Sequence, residues 1–366
     1  MLAPLLNAPR HWAARALART PPPPLGLTLS LLWRCNCRCA TCRVHQRESR
    51  ELSVDEYARI FRSLGGGLLW ATLTGGEPCL REDLPLIVEA LAREAHPYVI
   101  TLATNGTLTD RLLHQAEEIL RRYEGTLVVN LSRDAVGADQ DELRGLPGAW
   151  DRALASFRAL ERLRQQHDNL VLGIHTVISR HNVDALPHTW DVLLALDADS
   201  YVAEVAQPRE ELCTTELDLA PMAASYQRAV ASLQRRLAAR RARGAARLIR
   251  ALRHHYYRYA GEQLSASREI YPCYAALLSA HLAPDGKLWD CAVKARELGD
   301  LSADDFDFRR TWASAQAQGV RQEIRRERCR CTLANACYWN MLMSPTALTR
   351  IGWTLVRGRW LGAPER

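Results

Sequence analysis

The sequence predicts an α/β fold: six parallel strands with covering helices, arranged either as an open, partial (β/α)6 barrel of the TIM type or as an open doubly wound sheet. Three observations carry this reading. Between residues 25 and 206, apolar runs of strand length alternate six times with segments of helical period. The intervening segments are long enough for the crossovers that parallel neighbours require. The runs are nearly continuous in apolarity, as expected of strands covered on both faces. Either architecture places its chemistry at the C-terminal ends of the strands.

In order, LGLTLSLLW (25–33), after the prolines at 21–24, is the first strand, and SVDEYARIFRSL (53–64) is a helix opened by Ser53 with Glu56 at capping-box spacing. LLWATLTGG (68–76) is a strand, EDLPLIVEALARE (82–94) a helix, YVITLATNG (98–106) a strand and LTDRLLHQAEEILRRY (108–123) a helix. TLVVNLS (126–132), LVLGIHTVIS (170–179) and SYVAEVA (200–206) complete the strands, with WDRALASFRALERLRQQH (150–167) and LPHTWDVLLAL (186–196) as the helices between them. Leu233, Leu237, Leu248, Leu252 and Tyr256 then recur at helical spacing around Gly244, which predicts a kinked helix or a helical hairpin. The chain thus divides into an N-terminal extension (1–24), a core (25–220), a basic helical insertion (221–270), a cysteine-bearing module with short regular elements (271–345) and a basic, Trp-containing tail (346–366).

At 366 residues and 48% apolar, the chain has enough material for a sizeable core. No stretch reaches the roughly 18 apolar residues of a membrane span, and MLAPLLNAPRHWAARALART lacks the apolar core of a signal peptide, so a cytoplasmic location is expected. Eleven cysteines in that setting argue for metal ligation over disulfides. The formal charge of +7 is local: residues 225–260 hold ten arginines and no acid, which leaves 38 basic against 41 acidic residues elsewhere. No nucleic-acid partner is therefore expected. The arginines sit beside Leu, Ile and Tyr, and with RIGWTLVRGRWLG in the tail they also fit peripheral contact with an anionic membrane or a phosphorylated substrate; a solvated helix face is the plain alternative.

Cys35-Asn-Cys37-Arg-Cys39-Ala-Thr-Cys42 follows the first strand. Cys35, Cys39 and Cys42, at intervals of four and three residues, can wrap three thiolates around one cubane cluster and leave one iron open. Cys37 breaks that spacing and is read as a non-ligand. A zinc knuckle using all four thiols is the alternative. Gly75-Gly76-Glu77-Pro78 ends the second strand, where glycines allow close backbone approach. Together these motifs resemble the radical S-adenosylmethionine (SAM) superfamily, whose signature is a Cx3Cx2C loop after the first barrel strand followed by a Gly-Gly-Glu motif. Thr41 stands where that family usually has an aromatic residue.

The resemblance covers about residues 30–345 and implies a partial barrel as the core. It also implies a [4Fe-4S] cluster on Cys35, Cys39 and Cys42, with SAM chelating the open iron and Gly75, Gly76, Glu77 and Pro78 beside it. Asn105 at the end of the third strand, Ser132 at the end of the fourth, and Arg144 within Arg-Gly-x-Pro-Gly match further SAM contacts; satisfying buried backbone groups is their alternative role. His175, inside the fifth strand, reads as a packed histidine, and Glu204 as either an interior residue facing substrate or an edge carboxylate.

Cys273 and Cys291 flank Asp285-Gly286, a hairpin turn signal that brings the two thiols together across short strands. With Cys329, Cys331 and Cys337 they resemble the SPASM and twitch auxiliary-cluster modules of the same superfamily. The SPASM pattern is incomplete, since Met341 replaces a cysteine, so one auxiliary [4Fe-4S] cluster on four of these five thiols is expected; a zinc ribbon is the alternative.

The resemblance implies reductive cleavage of SAM to a 5′-deoxyadenosyl radical that abstracts hydrogen from substrate, with flavodoxin or a ferredoxin as reductant. The outcome expected is an oxidation or rearrangement of a small molecule by an oxidoreductase-type enzyme. A peptide maturase acting with a separate leader-binding partner is a second reading, because the roughly 25 residues before the first strand are too few for such a domain. A non-catalytic metal-binding or electron-carrying protein is a third.

Overall fold

The computed structural model describes residues 8–240 and 244–357. Among the described residues nine strands form one sheet: β1 (Gly26–Ser30), β2 (Trp70–Thr74), β3 (Val99–Thr104), β4 (Thr126–Ser132), β5 (Leu170–Ile178), β6 (Ser200–Val205), β7 (Ser279–Leu282), β8 (Lys287–Trp289) and β9 (Glu297–Asp300). Their order is β6-β5-β4-β3-β2-β1-β7-β8-β9. Strands β1 to β6 are parallel and strictly sequential, with no reversal of winding, which excludes the doubly wound alternative and leaves the partial barrel. The module after residue 270 continues the same sheet, because β7 adds in parallel to β1 and then turns back into β8 and β9. The turn from β7 to β8 uses Gly286 at φ +94°.

The strands are less continuously apolar than their sequence suggests. One face carries Leu27, Leu29, Leu73, Ile100, Leu102, Val129, Leu131 and Ile174, all buried beneath the helices. Register places Thr28, Thr72, Thr101 and Val128 in one row of the other face, and Ser132, His175 and Val202 in a higher row. This face is mostly only half-buried and is the concave interior.

The helix Val54–Leu64 opens with the capping box read from Ser53 and Glu56, both reciprocal bonds being present. Leu84–Ala95, Thr109–Arg122, Ala149–Arg164 and Leu186–Ala195 fall within three residues of their expected spans. The 221–270 region holds two helices, Ala223–Ala238 and Gly244–Ser265, joined side by side through Tyr226 Oη, which donates to the Tyr257 carbonyl at 3.4 Å. The residues between them, 241–243, and the tail beyond 357 lie outside the described residues, as do 1–7.

Both sheet edges are covered. At β6, Arg253 donates to the Tyr201 carbonyl (3.0 Å) and the Ala203 amide donates to Tyr257 Oη (3.2 Å). At β9, Gln316 donates to the Glu297 carbonyl (2.9 Å) from the helix Ala315–Arg326. A helix unforeseen in the sequence, Ala334–Leu342, bridges β6 and β1. Its first amide bonds Glu204 on β6, and its Trp339 packs so closely on β1 that a Cβ at Gly26 would lie 2.6 Å from the indole. Pro345–Arg357, read from sequence as the start of a tail, is a helix packed on Gly244–Ser265 through Ala347 and Ile351.

His254 lies in this packing, and burial pushes its imidazole down to about 4. The unfolded chain binds the proton first, so the stability His254 confers is complete above about pH 6.5 and is lost as pH falls toward 4. Chemical denaturation should therefore show wild type losing on the order of 2 kcal/mol more than His254→Asn between about pH 7 and pH 5. An identical pH dependence in the two proteins would assign the effect elsewhere.

Candidate functional site

The cysteine loop begins where β1 leaves the sheet, and its path is set by the glycine pair after β2. The Gly76 amide donates to the Leu32 carbonyl (2.7 Å) and the Glu77 amide to the Arg34 carbonyl (2.9 Å). Gly75 sits at φ +124°, and a Cβ on Gly76 would overlap the Arg34 carbonyl. The two glycines are thus required by a backbone crossing next to Cys35. Pro78 then opens a short 3-10 turn, Pro78–Leu80.

Glu77 is fully buried and accepts from Thr104 Oγ1 (2.6 Å), the Asn105 amide (2.8 Å) and the Cys79 amide (3.2 Å). Burial raises its carboxyl above the usual range against these bonds. Asn105 in turn donates to Asn36 Oδ1 (2.8 Å) and accepts from the Thr107 amide (2.8 Å), so its side chain is committed to holding the cysteine loop. The other side of the loop is clipped to Ala138–Arg144, a seven-residue polar helix with no apolar period to reveal it in the sequence. Arg38 and Ala40 amides donate to the Arg144 and Leu143 carbonyls at 2.8 and 2.9 Å. A Cβ on Gly145 would lie 2.5 Å from the Arg38 carbonyl.

Cys35, Cys39 and Cys42 are part-exposed on this loop, whereas Cys37 is buried. Hydrogen bonding from Cys37 lowers the Cys35 thiol and, with the Arg144 guanidinium, brings Cys39 down to about 6. Burial pushes Cys42 up to about 12, and Cys37 itself is raised by the bonds it donates to Cys35 and Cys39. Arg144 Nη1 lies 3.7 Å from Cys39 Sγ, and Nη2 pairs with Asp134 at 2.7 Å. Ser132 faces the concave interior beside His175, whose imidazole burial holds below its usual range. Glu204 is committed: one oxygen pairs with Arg209, and the other accepts the Ala334 amide at 2.8 Å.

The second cysteine group is also assembled from several elements. Asp290 accepts from the Cys291 amide (2.7 Å) and from Arg296 Nε (2.8 Å); Arg296 reaches Glu327 (2.7 Å), two residues before Cys329. Tyr259 and Tyr256 donate to the carbonyls of Cys331 and Thr332, each at 2.8 Å. Backbone amides point at the sulfurs of Cys273 (3.5 Å), Cys291 (3.4 Å) and Cys331 (3.3 Å). Cys337 differs: it is fully buried in the main core, and its thiol donates to the Cys331 carbonyl at 3.4 Å. Among the described residues, no three His, Cys, Asp or Glu side chains converge tightly enough to hold a single metal ion.

A strap after β6 joins the two groups across the barrel mouth. Leu212 accepts from the Arg43 amide (3.0 Å), and Glu210 and Glu211 amides donate to Val293 and Ala292, both at 3.1 Å. Beneath it, Glu211 accepts from Ser30 Oγ (2.8 Å), which also meets His281 Nε2 (2.9 Å). None of these three residues was singled out from the sequence. They are 181 and 251 positions apart, and no local pattern connects them.

Residues 31–191 match the family model described as the radical SAM superfamily. That stretch holds the cysteine loop and the glycine pair, and over it the chain is similar to the radical SAM superfamily. Its members use a [4Fe-4S] cluster and SAM, and SPASM-type relatives carry auxiliary clusters. The chain is 32% identical over 165 residues to the Fe-coproporphyrin III synthase of Methanosarcina barkeri, covering 44% of this chain and 38% of that protein. It is 31% identical over 182 residues to the PqqA peptide cyclase of Granulibacter bethesdensis (48% and 46%), and 37% over 176 residues to the GTP 3′,8-cyclase of Stenotrophomonas maltophilia (46% and 50%). The chain thus spans half or less of the length of these curated relatives. Among solved structures, Streptococcus suis SuiB bound to S-adenosylmethionine superposes with a TM-score of 0.62 at 17% identity, covering 94% of this chain and 80% of that one. AnSMEcpe with bound AdoMet gives 0.62 at 16%, with 92% and 100% covered. At these identities the two structures establish the fold. No helix among the described residues is long and apolar enough to cross a membrane.

Proposed function

We propose that this radical SAM protein is a cytoplasmic oxidoreductase that removes hydrogen and an electron from a small molecule enclosed between its two cysteine groups. The donors suit iron–sulfur clusters: all are thiols, arginine faces one group, and backbone amides are directed at sulfur in both. Cys35, Cys39 and Cys42 would hold the SAM-binding cluster. Cys273, Cys291, Cys329 and Cys331 would hold the auxiliary cluster, with Cys337 a buried structural residue. When bound, the first cluster supplies the electron that cleaves SAM to the 5′-deoxyadenosyl radical.

The protein's own residues position and enclose. Gly75 and Gly76 let the backbone of the SAM side approach the loop closely; Glu77, Pro78 and Asn105 brace that backbone. Ser132 and Arg144 would contact SAM, Arg144 while keeping its pair with Asp134. The Gln207–Thr214 strap excludes water from above.

The observation that carries the reading is this strap, which holds both groups at one barrel mouth, so that hydrogen abstraction on one side and electron uptake on the other serve one substrate. The helix Ala334–Leu342, packed against both β6 and β1, favours a small molecule over a long peptide, although a peptide maturase acting on a protruding segment uses the same chemistry. Electrons would come from flavodoxin or a ferredoxin. After anaerobic reconstitution with iron and sulfide, about eight irons per chain are expected in wild type and about four in Cys291→Ala, with dithionite-driven release of 5′-deoxyadenosine retained in the variant. Zinc in place of iron, or wild-type iron content in Cys291→Ala, would refute the assignment.

A further inference from the structure

Two helices, Gly244–Ser265 and Pro345–Arg357, pack side by side. They are joined by His255 Nε2 to Thr354 Oγ1 (2.9 Å) and by Arg247, whose guanidinium bonds the Leu355 carbonyl. On their outward side Leu248, Ile249, Leu348, Trp353 and Val356 are exposed, Trp353 at 57% and Val356 at 82%. An isolated exposed leucine needs no explanation, but five large apolar residues on two adjoining helices do.

Along the two stretches themselves the charges have one sign, and the neighbouring carboxylate Asp197 is taken up by Arg240. Residues 219–261 and 340–364 contain no Asp or Glu. Arg247 and Arg350 are solvent-exposed, and Arg250 is half-buried with its guanidinium on the Arg240 carbonyl (2.5 Å). The Arg247 bond to Leu355 sets a cation next to Val356. Arginines farther along the insertion are instead spent internally: Arg236 pairs with Asp191 (2.7 Å), and Arg253 holds the β6 edge. What faces outward is an apolar patch with a basic rim.

We infer that this face docks on an anionic lipid bilayer, with Trp353, Val356, Leu248 and Ile249 entering the headgroup region and Arg247 and Arg350 meeting lipid phosphates. A second copy of the chain fits less well, because a symmetric contact would bring the basic rims together without a carboxylate on either stretch to offset them. Apolar insertion and cation–phosphate attraction act together at a bilayer surface. The face lies on the β6 side of the barrel, away from the strap, so docking leaves the barrel mouth free.

The test is co-sedimentation of the full chain with vesicles of phosphatidylcholine alone or mixed with phosphatidylglycerol. Binding should rise at least about tenfold with the anionic lipid and fall as salt is raised. The double variant Leu248→Ser/Val356→Ser and, separately, Arg350→Glu should each lose most of that gain while keeping the wild-type melting temperature, since all three side chains are exposed. Absence of binding to either vesicle, or binding that ignores phosphatidylglycerol, overturns the inference. So does a dimer in solution that the double variant converts to monomer without any vesicle binding, which would assign the face to a second copy.

Discussion

Cys39→Ala is expected to abolish release of 5′-deoxyadenosine and to remove about four irons per chain, whereas Cys37→Ala keeps both. The two residues are neighbours but occupy opposite states. Cys39 is half-exposed, faces Arg144 at 3.7 Å, and has its thiol brought down to about 6, so it is available as a thiolate near neutral pH. Cys37 is buried, and its proton is held by the bonds it donates to Cys35 and Cys39. Alanine at 37 removes those donors and leaves three thiols at the spacing a cubane needs; alanine at 39 removes a ligand. Iron analysis, absorbance of the reconstituted proteins and quantification of 5′-deoxyadenosine read the outcome together. A Cys37→Ala protein without cluster, beside a loaded Cys39→Ala protein, would reverse the ligand set.

That prediction rests on a motif visible in eight consecutive residues, and locality marks where the sequence is informative. The core strands and their outer helices are legible because one face of each is apolar at a fixed period, and the Ser53–Glu56 capping box is legible because both partners lie in one turn. What joins these pieces is not. The same alternation of strands and helices fits a barrel and a doubly wound sheet, and only pairing in strict sequence order separates them. The Asp285-Gly286 turn announces a hairpin, yet nothing local says that β7 will add to β1, since the two strands are about 250 residues apart in the chain.

The site divides the same way. Glu77 and Asn105 are identifiable from their motifs, but their visible role is to fasten the Cys35–Cys42 loop through Thr104 and Asn36, by bonds that no local pattern announces. The strap residues Glu210 and Glu211 look like surface carboxylates in the sequence, and they become informative only when their amides are found on the segment after Cys291. Ala334–Leu342 was hidden for another reason: a helix buried on nearly all sides has no polar face, so ANACYWNML carries no amphipathic period.

Gly76→Ala is the sharpest test of this fastening. The alanine methyl would overlap the Arg34 carbonyl and lie 2.6 Å from the Trp33 carbonyl, both backbone atoms with no rotamer to yield. Relief requires moving the segment that leads into Cys35, at the loss of the Gly76–Leu32 and Glu77–Arg34 hydrogen bonds, each below 3.0 Å in the native chain. A destabilisation of at least about 3 kcal/mol is expected, together with poor loading of the first cluster but not of the second, so iron should fall toward four per chain. Gly319→Ala is the control: its Cβ meets nothing within 4 Å, it lies inside the helix Ala315–Arg326, and alanine there should stabilise by up to about 1 kcal/mol. If thermal unfolding and iron content of Gly76→Ala matched wild type, the crossing of the glycine pair over residues 32–34 would not be what positions the cysteine loop.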